Sequence, residues 1–128
     1  MGRFKYTLLV WLIAFGVISP RITYARVFNA LPGHIMVFKA DYSVTFGTIV
    51  DSDSKVPLDG IIYHDKLKIE VEKKLPRGER ESTLIHEILH AVSRQYQAHL
   101  TEKQVQALEK GIYETLVKNH WKVVIPSH

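Results

Sequence analysis

The hydrophobic period changes once along this chain, and that change limits what the chain can become. In "LKIEVE", Leu67, Ile69 and Val71 alternate with Lys68, Glu70 and Glu72. Successive strand side chains point to opposite faces, so this stretch reads as a strand with one apolar and one charged face. After the break "PRGE", the apolar residues Leu84, Ile85, Ile88, Leu89, Ala91, Val92 and Tyr96 fall on one side of a helix expected over about Arg80–Tyr96, with Glu79 and Glu81 at its acidic start. A second helix begins at Thr101, where Gln104 three places on completes a capping box. It runs to about Asn119, and Val105, Leu108, Ile112 and Leu116 give it one apolar stripe. Upstream, "HIMVFKADYSVTFGTIV" is rich in β-branched and aromatic residues and reads as one or two strands turning near Lys39–Tyr42. Pro57 and Gly60 mark "DSDSKVPLDG" as a loop. Ile61–Tyr63 is the expected hairpin partner of the 67–72 strand, with the turn at His64–Lys66. Strands followed by helices make an α+β domain: a small, mostly antiparallel sheet of three to four strands, then two packed helices. Trp121, in the tail, is expected to plug the core against the second helix.

The first 25 residues have a different character. Arg3 and Lys5 precede an apolar run from Leu8 to Ile18, and Thr23 and Ala25 stand where a signal peptidase reads small residues. The run is shorter than the roughly 20 apolar residues a membrane-crossing helix needs. Residues 1–25 therefore read as a signal peptide cleaved after Ala25, or as a membrane anchor, ahead of a domain over 26–128. On that reading the protein is exported or membrane-associated. The leader also holds Arg3, Lys5 and Arg21, so a net charge of +4 falls to +1 without it. The basic balance gives no clustered surface for nucleic acid. Lys73, Lys74, Arg77 and Arg80 interleave with Glu70, Glu72, Glu79 and Glu81, which reads as a solvated, mixed-charge strand end and turn.

The chain has no cysteine, so any metal must be held by histidine and carboxylate. His86 and His90 lie one helical turn apart, opposite the core stripe, and can converge on one ion. Glu87 stands beside them on the helix and out of line with them, so it can reach a water at the metal without binding the metal itself. This is the H-E-x-x-H arrangement. With seven His and eight Glu it arises by chance in about two per cent of random chains of this length. Zinc so held would take Zn²⁺ chemistry to a peptide bond, with Glu87 as the general base. Candidates for a third ligand are His99, Glu102 and Glu109. The spacing leaves them open: antiparallel helices would put Glu109 nearer His86 in height, and Glu102 serves only if the second helix starts beside the His90 turn. Tyr63, His64, Tyr96, His99 and Tyr113 could each polarise a carbonyl, though each also has an ordinary structural role. The 67–72 strand is a candidate edge for pairing with an extended substrate.

The segments "GIIYHDKLKIEV", "RESTLIHEILHAV" and "LTEKQVQALEKGIYETLVKN" together resemble the small phage- and prophage-encoded zinc metallopeptidases. These are minimal zincins, loosely related to the ImmA/IrrE-type and SprT-like enzymes. The resemblance spans about Ile35 to Asn119. It implies zinc-dependent hydrolysis of a peptide or protein substrate by a Glu-activated water, and favours Glu102 as the third ligand beside His86 and His90. It also implies the cytoplasm of a phage-infected or lysogenic host if the leader is not an export signal. The competing expectation is a zinc-binding or degenerate zincin module that does no catalysis and docks a phage or host protein.

Overall fold

The computed structural model describes residues 26–126, so the leader expected over 1–25 and its cleavage point lie outside the described residues. Four strands and two helices follow in order: β1 (His34–Val37), β2 (Ala40–Gly47), β3 (Gly60–Tyr63), β4 (Lys68–Glu72), α1 (Arg77–Gln95) and α2 (Glu102–Lys118). No helix among the described residues is long and apolar enough to cross a membrane.

The sheet order is β1-β2-β4-β3. It is mixed: β1–β2 and β3–β4 are antiparallel, and β2–β4 is parallel. Two of the three pairings are antiparallel, as expected, and the expected hairpin accounts for the one parallel pair. The short turn after Tyr63 gives one edge of β4 to β3, and the other edge then meets β2 running in the same direction. The expected edge at 67–72 is therefore corrected. β4 has a partner on each side, and among the described residues β3 is the outer strand at that end of the sheet, β1 at the other. The first hairpin turns at Phe38–Lys39, slightly ahead of the expected position. Phe38 takes a φ of 56° and stacks on Tyr96 at the end of α1, with ring centroids 5.3 Å apart.

Alternation decides which sheet face meets α1. Tyr42 and Val44 of β2 and Ile69 and Val71 of β4 are buried, while Asp41 and Thr45 point out to solvent. Leu84, Ile85 and Ala91 of α1 pack into the same core. The helix starts at Arg77, earlier than the apolar pattern suggests, with Pro76 as its N-cap. Pro76 needs no N–H there. Arg77 anchors the first turn by bonding Glu81 (2.9 Å) and the Phe28 carbonyl (3.0 Å).

Glu81 departs from the solvated face expected of it. It is 1% exposed, and its carboxylate accepts the backbone N–H groups of Val27 (3.0 Å) and Phe28 (3.4 Å). The start of the domain is thereby tied to α1.

The capping box at Thr101 and Gln104 is present. The stripe expected on α2 is rotated, however. Val105 is buried, but Leu108 and Ile112 are 42% and 39% exposed. The inward face is turned toward Glu109, Tyr113, Leu116 and Val117. Trp121 is not a core plug either: it is 59% exposed and lines a shallow groove with Leu108 and Ile112. The tail is fixed by backbone instead, through the bridge between Val123 and Phe28 and the pairing of Asn29 with Ile125.

Candidate metal centre

The two histidines come from consecutive turns of α1 and the acids from α2. How α2 is set against α1 therefore decides the site. The link after Gln95 is short and folds back tightly. Ser93 holds it, its carbonyl accepting from Ala98 N–H (2.9 Å) and its hydroxyl from Leu100 N–H (2.9 Å). Gln97 and His99 adopt φ values of 52° and 49° to make the reversal. A left-handed backbone at two non-glycine residues carries a strain cost that surrounding contacts must offset. The result is that α2 begins beside the His90 turn.

That placement brings Glu102 to both histidines. Its two carboxylate oxygens lie 3.1 Å from His86 Nε2 and 3.2 Å from His90 Nε2, and the two Nε2 atoms are 3.1 Å apart. Glu109, two turns further along α2, reaches the other nitrogen of His86, with Nδ1 at 3.0 Å from Oε2. Its second oxygen accepts from Ser82 Oγ at 2.5 Å. Both carboxylates can only accept, so a neutral His86 donates to one of them; with an ion held at Nε2, Nδ1 would carry the proton and donate to Glu109. His99 is not in this cluster. It lines the neighbouring cleft.

His86, His90 and Glu102 are a group whose ligand atoms all lie within 4.8 Å of one another. Two imidazole nitrogens and a carboxylate suit zinc. Their separations of 3.1–3.2 Å also suit it. A tetrahedron with ligands about 2.0–2.1 Å from the ion has edges of about 3.3 Å. A histidine whose far nitrogen donates to a carboxylate is the usual support for a metal ligand, fixing both tautomer and ring orientation. The residues present fit the ion.

Glu87 lies next to this group and is 6% exposed. Burial pushes its carboxyl pKa up to about 7, against the opposing pull of His86, while Glu102 and Glu109 add to the rise. Gly60, the first residue of β3, is the reason a strand can approach so closely. A Cβ there would stand 2.6 Å from Thr83 Cγ2 and 2.9 Å from Glu87 Oε1. Asp59, Gly60, Thr83, His86, Glu87 and Glu109 line a cleft of about 240 Å³. The part played by Gly60 has no sequence signal beyond a glycine at a strand start.

On the other side of His90 a larger cleft of about 580 Å³ is lined by His64, Ser93, Arg94, Gln97 and His99. His64 is positioned by a hydrogen-bond chain. Gln95 Nε2 donates to Tyr42 Oη (3.2 Å), and Tyr42 Oη lies 3.3 Å from His64 Nδ1. Desolvation by burial holds the His64 pKa below its ordinary value, with Arg94 and His90 adding to the effect. No protein-family model, curated protein or solved structure matches the chain.

Proposed function

We propose that the chain is a zinc-dependent peptidase, with His86, His90 and Glu102 as the ligands and Glu87 as the general base. The observation that carries the reading is the convergence of three ligand atoms from two helices beside a buried glutamate. Zinc held there would supply a Lewis acid for the peptide carbonyl and lower the pKa of a water toward neutrality. Hydrolysis adds the water's hydroxyl to the carbonyl carbon and its proton to the departing amine nitrogen. Glu87 carries that proton. Its burial beside the site keeps it close to the water and suits a group that must both accept and return a proton. Glu109 and Ser82 hold the His86 ring in the orientation that aims Nε2 at the site. Among the described residues the outer edge of β3 faces no other strand, and it passes Glu87 at Gly60, so an extended peptide would lie along it as a further strand.

Metal analysis of the purified chain, paired with hydrolysis of an unfolded protein, tests this reading. The expected result is one zinc per chain and a hydrolysis that stops in Glu87→Gln while the zinc stays. A folded chain that takes up no zinc would overturn it, and so would zinc loss in Glu87→Gln with the fold intact.

A further inference from the structure

The larger cleft sits against the ligand His90 but contributes nothing to the ligand set. Its walls are rich in hydrogen-bond donors. Arg94 has no carboxylate within ion-pair distance among the described residues, and no carboxylate lines this cleft. A cation in the last turn of α1 also complements the helix dipole, which accounts for its sign but not for its place in the cleft wall.

His64 supplies the second donor. The Tyr42 hydroxyl accepts from Gln95, which leaves its own proton free to be given to His64 Nδ1, the tautomer a subsite here would use. With Nδ1 accepting, the ring proton belongs on Nε2. Tyr42 is fully buried, so this chain of three side chains is anchored in the core and holds the ring in place. His64 Nε2–H has no partner among the described residues. The loop that closes the cleft carries the two left-handed residues, Gln97 and His99.

We propose that this cleft is an anion subsite that takes a carboxylate of the substrate, with Arg94 giving the charge and His64 Nε2–H a directed hydrogen bond. The proposal rests on the peptidase reading for what the ligand is, a peptide, and adds which peptides are preferred. Two sources share this chemistry: the C-terminal carboxylate of a chain, and an acidic side chain within it. The first would make the protein favour chain ends; the second would make it favour acidic sequences.

Three synthetic peptides of one sequence distinguish the sources: a free C-terminal acid, its carboxamide, and the carboxamide with the last residue replaced by aspartate. Binding is measured by calorimetry to the full chain carrying Glu87→Gln, so that turnover does not enter. One of the two carboxylate peptides should bind about two- to fivefold tighter than the neutral one, the range for an exposed arginine pairing with a carboxylate. Arg94→Gln should remove that preference and leave the neutral peptide unchanged. His64→Gln should reduce it in part. Equal affinity for all three, or no binding by any, overturns the subsite. So does a preference that survives Arg94→Gln, because the carboxylate would then be held elsewhere. The peptidase reading fails separately, through absent zinc or absent hydrolysis, neither of which enters this binding measurement.

Discussion

Glu102 and Glu109 are both within 3.2 Å of His86, yet they meet different nitrogens and have different expected effects. Glu102 faces the Nε2 atoms of both histidines; Glu109 meets Nδ1 of His86 alone. Removing a ligand should abolish tight binding, whereas removing a supporting carboxylate typically weakens metal affinity by about 10- to 100-fold. Zinc titrations of Glu102→Ala and Glu109→Ala at equal folded fraction separate the two roles. The expected result is near-complete loss in the first and a weakened but saturable site in the second; complete loss in Glu109→Ala alone would exchange their assignments. His86, Glu87 and His90 are readable from the chain because one helix positions all three. The choice between Glu102 and Glu109 is not, because it depends on where α2 starts beside α1. That start is set by the reversal at Gln97 and His99, two residues that give no glycine signal for a left-handed backbone.

Strand β3 and helix α1 touch where Gly60 meets Thr83 and Glu87, and this contact sets the position of the proposed general base. Gly60→Ala would drive a methyl into the stiff β-branched Thr83 and into Glu87 itself. Overpacking of this kind costs about 1–3 kcal/mol, so the variant should unfold at lower urea and lose hydrolysis beyond its loss of folded fraction. Unchanged stability would mean that the strand simply moves away. A second element contact is pH-dependent. Glu72, at the end of β4, accepts the N–H groups of Lys74 (2.9 Å) and Ile49 (3.0 Å), and these bonds hold its pKa below the ordinary 4.5. The ionised form is thus the one favoured by folding. Its contribution is present above pH 4.5 and is lost as the pH falls through the lowered value. Glu72→Gln should be less stable than the parent at neutral pH, and the gap should close on acidification; a gap independent of pH would sink the account. The β3–β4 hairpin, both helices and the capping box follow from alternation, periodicity and cap chemistry. The parallel β2–β4 pairing and the rotated face of α2 do not. Leu108 and Ile112 fit a helical stripe, but Glu109 and Tyr113 are turned inward in their place, Glu109 to meet His86 and Ser82.

At the scale of the whole molecule, the two helices are held in unequal ways. Helix α1 packs on three strands and buries Leu84, Ile85 and Ala91 in the main core. Helix α2 contributes one fully enclosed side chain, Val105, with Tyr113, Leu116 and Val117 half-buried beside it. Much of what joins it to the rest is polar: Glu102 to both histidines, and Glu109 to His86 and Ser82. Apolar burial is the main term holding an element in place, so α2 has the lower local stability of the two. A zinc ion bound by ligands from both helices would cross-link them, and a ligand that binds only the folded form stabilises it by about 4 kcal/mol at a thousand times its dissociation constant. Chelation should therefore act unevenly. Amide exchange in the middle of α2, around Val105–Tyr113, should accelerate strongly when zinc is removed, while Ile69 and Val71 in β4 should change little. Zinc restored to the Glu102→Ala chain should fail to slow it. If chelation speeds exchange equally in β4 and α2, the metal stabilises the domain as one unit and the cross-link account is wrong. If it changes neither, the site does not hold zinc in the folded chain.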